Sequence, residues 1–116
     1  MTGSEPEVGQ LRRFPYEFED KPSKSKFRPV VVALVCKDEG FAMLVKVTSH
    51  APRENFPGEL RLLDWEQEGL DHESTVRCSK TRNAAIAEVA STPLIGYLSK
   101  RDLETVTAQL RMMGTL

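Results

Sequence analysis

The strongest signal along the chain is an unbroken apolar run, Val30, Val31, Val32, Ala33, Leu34, Val35 and Cys36, opened by Pro29 and closed by Lys37. β-Branched residues with no polar face predict a central strand from Pro29 to Lys37, covered on both sides. Proline is tolerated at its start, where a missing N–H costs no ladder bond. Lys37-Asp38-Glu39-Gly40 reads as a turn, with Gly40 free to take positive φ. Phe41 to Thr48 follows as a second strand, so the pair forms a hairpin. Upstream, Phe14, Tyr16 and Phe18 alternate with Pro15 and Glu17, which predicts an edge or bulged strand within Gly9 to Phe18. Glu19 to Phe27 is polar and aperiodic, and is expected to be a loop.

Further along, Ser49 to Gly58 reads as a loop and Glu59 to Leu63 as a short strand. Asp64 can cap a single helical turn, Trp65 to Glu68, stopped by Gly69. Ser74 to Lys80 alternates Thr75, Arg77 and Ser79 with Val76 and Cys78, a strand with one polar face. Thr81 to Thr92 is Ala-rich and stays open between a short strand and an irregular turn. Leu94 to Leu98 is another short strand. Ser99 and Asp102 have the spacing of a capping box, and Leu103, Val106, Leu110 and Met113 continue as one face of a C-terminal amphipathic helix. Several short strands without a βαβ rhythm predict a mainly β fold, a small antiparallel sheet or barrel with helices attached.

Composition narrows the class. A chain of 116 residues has room for one core, expected over 9–116 behind a loose segment at 1–8. Its longest apolar run is far short of the roughly 20 residues that span a bilayer. With no basic-then-apolar leader, a cytoplasmic location is expected, and Cys36 and Cys78 read as buried thiols. Net charge is −1, yet the charges are segregated. Lys21, Lys24, Lys26 and Arg28 form one acid-free cluster and Arg77, Lys80 and Arg82 another, whereas Glu59 to Glu73 holds six acids against Arg61 alone. Any one such run is ordinarily solvated surface. Two basic clusters matter only if the fold brings them together.

Phosphate loops, CxxC pairs, HExxH and GxSxG are all missing. His50 and His72 have no partner at metal-ligand spacing, and His72 reads as a solvent-facing loop residue. What remains is Arg28 before the central strand, Thr48, Ser49 and His50 at the end of its partner, and Arg77, Ser79 and Lys80 on the later polar face. In a hairpin the start of one strand adjoins the end of the other, so Arg28 and Thr48 should be neighbours. A guanidinium beside hydroxyls suits a phosphate. On pattern alone the ordinary account is stronger: Arg28 pairs with Glu17 or Asp20, and Thr48 caps a loop.

The stretch F-E-D-K-P-S-K-S-K-F-R-P-V-V-V, followed by V-K-V-T-S-H, S-T-V-R-C-S-K and L-I-G-Y-L-S-K-R-D-L-E-T-V, resembles in order and spacing the motifs of the PemK/MazF/Kid toxins of bacterial toxin–antitoxin pairs. The resemblance runs from about Gly9 to Met113. It implies an SH3-like antiparallel β-barrel with a short helix and a C-terminal helix, usually a homodimer. It further implies a metal-independent endoribonuclease that uses no cofactor, cuts single-stranded RNA through a 2′,3′-cyclic phosphate, arrests translation and growth, and is neutralised by a cognate antitoxin. Carried over by position, Arg28, Thr48 and Arg77 are the expected catalytic residues, with Lys26, Ser49, His50, Ser79 and Lys80 on the substrate. Two departures stand out. Ser79 replaces an aspartate of the Kid-like V-R-C-D run, and the opening strand is altered to Gly9-Gln10-Leu11-Arg12-Arg13. The proton acceptor is therefore open among Glu17, Glu19, Asp20 and His50, with His50 favoured for its titration range. A non-catalytic member of the same fold that binds protein or nucleic acid is the alternative, and a gyrase-poisoning toxin a remoter one.

Overall fold

A computed structural model describes residues 5–18 and 21–116, giving the backbone alone for 16–18 and 21–26. Six strands form one antiparallel sheet: β1 (Gln10–Phe18), β2 (Lys21–Cys36), β3 (Phe41–Thr48), β4 (Glu59–Arg61), β5 (Thr75–Ala85) and β6 (Leu94–Tyr97). Their order is β4-β5-β3-β2-β1-β6. Helix α1 (Ile86–Ala90) follows β5, and α2 (Lys100–Met112) ends the chain. The fold is mainly β, as the patterning predicts. Among the described residues no ladder joins β4 to β6, so the sheet is not closed.

The apolar central strand buries both faces. Val31 joins Leu11, Val45 and Val76 beneath Val106 and Leu110 of α2. Val30 and Val32 join Phe14, Leu44 and Ala84 beneath Val89 of α1. Pro15 and Pro29 sit where the ladders leave room for them: β6 pairs only with residues 10–12 of β1, and the β2–β3 pairing begins at Val30. Cys78 is buried and Cys36 partly so, both as free thiols, and burial pushes the Cys78 thiol up to about 11.

Four expectations need correction. The loop expected over Glu19 to Phe27 is strand from Lys21 onward, paired to β1 through Tyr16↔Lys26 and Glu17↔Ser25. A two-stranded ribbon held by backbone bonds imposes no apolar period, so nothing in the pattern marks it. The short strand at Glu59 stops at Arg61, and the strand expected over Ser74 to Lys80 continues to Ala85. Its register against β3 jumps between Lys46↔Arg77 and Val45↔Thr81, leaving Ser79 and Lys80 in a bulge. The helical turn at Trp65–Glu68 is a hydrogen-bonded turn, with Glu68 N donating to Asp64 O at 3.1 Å, and Gly69 ends it at φ +96°. The short helix lies instead at Ile86–Ala90, inside the undecided segment.

The altered first strand has a structural purpose. Arg12 is completely buried. Its Nε donates to Gln10 Oε1 at 2.8 Å, and Nη1 donates to the carbonyls of Val89 at 3.0 Å and Thr92 at 2.9 Å. The guanidinium thus satisfies carbonyls at the C-terminal end of α1, where a helix has none of its own N–H groups left to offer. Glu5 and Pro6 close over the same region, with the Glu5 carbonyl accepting from Gln10 Nε2 at 3.1 Å. Burial pulls the Arg12 pKa down without removing the charge at neutral pH. Arg13, one residue on, points to the opposite side.

Arg12→Ala takes the guanidinium from Gln10 Oε1 and the Thr92 carbonyl in the interior, while the Val89 carbonyl keeps its bonds from Thr92, and should cost about 3 kcal/mol in chemical denaturation. Arg13→Ala, which removes an exposed ion pair, should stay within about 1 kcal/mol. Equal losses from the two would contradict the assignment.

Candidate active site

The β2–β3 register places Val30 opposite Lys46 and Val31 opposite Val45. Extended by one pair beyond Pro29, the same register sets Arg28 beside Thr48, as the hairpin argument expects. Both residues line a cleft of 230 Å³ together with Ser49, the β1 residue Arg13, and Phe27. The remaining wall is the turn before β5, with Leu70, Asp71, His72 and Ser74. Arg13 reaches Asp71 at 3.4 Å, tying that turn to β1. Ser74 Oγ donates to the carbonyl of His72 at 2.8 Å, which fixes the turn internally.

The other expected site residues lie elsewhere. His50 Nδ1 is 2.9 Å from the Ala51 carbonyl, and its own carbonyl accepts from Thr75 Oγ1 at 2.5 Å. It borders a separate small cleft of 30 Å³ beside Arg61 and Glu73. Arg77 stands on β5 opposite Lys46, with Nε 3.1 Å from Glu59 Oε2. Arg53 meets the same carboxylate at 2.7 Å and stacks 3.7 Å from the Phe56 ring centre. Hydrogen bonding from Arg53, with charge from both arginines, holds the Glu59 carboxyl down to about 2. Ser79 and Lys80 occupy the β5 bulge, outside the cleft. The Lys26 side chain lies outside the described residues, as do those of Glu17, Glu19 and Asp20. Sequence reading missed Arg13, Asp71 and His72: they are scattered over sixty positions, and only the ladder and the turn bring them together.

The cleft wall depends on a carboxylate network beneath it. Asp102 accepts from Leu63 N at 3.1 Å and Asp64 N at 3.0 Å, while Glu68 accepts from Ser99 N at 2.7 Å. Ser99 Oγ accepts from Asp102 N at 3.3 Å, so half of the expected capping box forms and Glu68 supplies the other half. Arg101 grips Asp64 through two bonds of 2.8 and 2.6 Å, and with Ser99 holds that carboxyl down to about 2. Asp64, Glu68 and Asp102 bring carboxylate oxygens within 4.8 Å of one another, close enough to hold a cation. All three nevertheless carry contacts that join the turn to α2. Burial first, then the neighbouring Asp102, push the Glu68 carboxyl up to about 7.

The chain thus combines an open antiparallel sheet, a helix on each face, and a cationic, hydroxyl-lined cleft at the end of its central hairpin. No family model and no curated protein matches the chain by sequence. Solved structures do match in fold. MazF from Deinococcus radiodurans aligns with TM-score 0.70 at 17% identity, covering 97% of this chain and 99% of that one. An endoribonuclease in complex with its cognate antitoxin, from Mycobacterial species, aligns with TM-score 0.70 at 12% identity over 96% of each chain. A MazE–MazF complex from D. radiodurans gives 0.68 at 18%, covering 97% and 98%. The chain therefore has a MazF-like fold. Among the described residues no helix is long and apolar enough to cross a membrane.

The raised Glu68 carboxyl sets a pH dependence. Its folded value of about 7 lies above the 4.5 of a free side chain, so the folded state keeps a proton that the unfolded state releases between those values. Stability is then fullest below pH 4.5 and declines towards pH 7, considering this group alone. Glu68→Gln, which mimics the protonated form, should flatten that decline and raise the melting temperature at pH 8. A variant that keeps the wild-type slope would show that Glu68 does not carry it.

Proposed function

We propose that the protein is a metal-independent endoribonuclease toxin that cleaves single-stranded RNA, inhibits translation and growth, and is neutralised by a cognate antitoxin. One observation carries this reading: Arg28, Thr48 and Ser49 share a 230 Å³ cleft with a second guanidinium, Arg13, on a MazF-like fold. In cleavage by the ribose 2′-hydroxyl, negative charge gathers on the non-bridging phosphate oxygens. Arg28 can meet it with two parallel N–H bonds, and Thr48 or Ser49 with a hydroxyl. Each preorganised donor is worth about 3 kcal/mol on such developing charge. Phe27, 60% exposed at the rim, offers a face on which an unpaired base can stack. A duplex hides its base faces, which favours single strands. In this reading Arg77 and Lys80, outside the cleft, contact flanking phosphates and not the reacting one.

Structural neighbours solved with an antitoxin support such a partner for this chain as well. An acidic segment that folds on binding would compete with RNA for Arg13 and Arg28. A second copy of the chain completes the proposed assembly as a homodimer. The binding-only reading rests on Ser79, which stands in the β5 bulge at the position of the aspartate in the Kid-like V-R-C-D run.

Purified protein incubated with single-stranded RNA in EDTA separates the two. Cleavage to cyclic-phosphate ends is expected. Arg28→Ala should lower it at least about 100-fold and abolish growth arrest on expression, with the melting temperature unchanged. RNA bound yet intact at high protein concentration would establish the binding-only reading.

A further inference from the structure

We propose that His72 is the proton-transfer residue of this cleft, a role that rests on the ribonuclease reading above. The reaction needs a group that removes the 2′-hydroxyl proton near neutral pH. Among the described residues lining the cleft, Arg13 and Arg28 are permanently charged, and the hydroxyls of Thr48, Ser49 and Ser74 are too weakly basic. Asp71 faces Arg13 at 3.4 Å and serves to place the turn. His72 is left, and histidine is the side chain whose charge changes between pH 5 and 8. The next acid along the chain, Glu73, is taken by Arg61 at 2.8 Å.

The turn holds His72 in place while leaving its ring accessible. On one side Leu70 is buried and its N–H donates to Trp65 O at 3.0 Å. On the other, Ser74 is buried and its carbonyl accepts from Leu62 N at 2.9 Å. Asp71 and His72, both exposed, span the interval between these anchors, and the Ser74 hydroxyl fixes the His72 carbonyl from below. His50, next to Thr48 and Ser49 in sequence, has its ring beside the Ala51 carbonyl and does not line the cleft.

In the proposed step the 2′-oxygen bonds to phosphorus as its proton passes to a ring nitrogen of His72. The P–O5′ bond breaks, and the departing 5′-oxygen takes a proton from water. The imidazolium returns its proton to the hydroxide so formed, leaving a 2′,3′-cyclic phosphate, a 5′-hydroxyl and neutral imidazole. Arg28, Arg13 and Asp71 line the same cleft as His72.

The test uses the full chain and a single-stranded RNA oligonucleotide. His72→Ala and His72→Gln should each lower kcat about 100-fold with KM little changed, and should remove the acid limb of the pH–rate profile. Added imidazole should restore part of the His72→Ala activity, a rescue that a merely structural role would not permit. If wild type cleaves, Arg28→Ala does not, and both His72 variants keep wild-type kcat and pH profile, the assignment of His72 falls and the ribonuclease reading stands. If wild type does not cleave RNA, both fall together.

Discussion

An exchange of hydrogen bonds between one turn and one helix holds the seam of this open sheet. The edge strands β4 and β6 are not joined by a ladder, and a strand edge left uncovered invites pairing with another chain. The turn that follows β4 packs into this position, where the carbonyl of Glu68 occupies the space that a side chain at Gly96 would need. Its amides at Leu63 and Asp64 are satisfied by Asp102, and the Ser99 amide at the start of α2 is satisfied by Glu68. Each partner thereby removes the other's unpaired donors, at the cost of crowding three carboxylates. Burial, and then the neighbouring Asp102, raise the Glu68 carboxyl, which is as fully buried as Asp102 itself. The wall of the cleft, from Leu70 to Ser74, continues directly from this turn.

On the opposite face a single guanidinium serves the same purpose. Arg12 bonds the carbonyls at the end of α1 and so fixes the helix that covers Phe14, Val30 and Leu44. The adjacent arginine lies in the cleft wall. Strand alternation alone separates the two: identical side chains at successive positions face opposite sides, one enclosed among backbone acceptors and the other meeting solvent and Asp71. The near-neutral net charge conceals this partition. Much of the acid between Glu59 and Glu73 is paired with Arg53, Arg77, Arg61, Arg101 and Arg13, and Arg13 and Arg28 both line the cleft.

How much of this could be read from sequence depended on whether side-chain burial or backbone pairing decided the outcome. Val30 to Cys36, Phe41 to Thr48 and the α2 face of Val106 and Leu110 are dictated by apolar periodicity, and were legible. The approach of Arg28 to the end of β3 was legible too, because a hairpin brings those ends together, but the alignment with Thr48 in place of Ser49 follows from a register shift between Val32 and Leu34 that no pattern marks. The polar part of β2, the bulge at Ser79 and the helix at Ile86 were not legible, because backbone bonds to neighbouring strands determine them. Arg12 looked like damage to the first strand, since a charged residue in a strand signals exposure unless its acceptors are known. The contribution of Arg13, Asp71 and His72 to the cleft was invisible for the same reason. The joining contact is an ion pair across fifty-eight positions.

The cleft also has a place in time. Its walls come from β1, from both strands of the central hairpin and from the turn at Leu70–Ser74, and that turn is anchored to Ser99 and Asp102 at the head of the last helix. Synthesis proceeds from the N-terminus, so the basic half of the cleft exists as sequence long before the segment that completes it. Until α2 has formed, the seam between β4 and β6 has nothing to hold its turn. A nascent chain in which α2 has yet to emerge therefore has its arginines and hydroxyls without the geometry that brings them to one cleft.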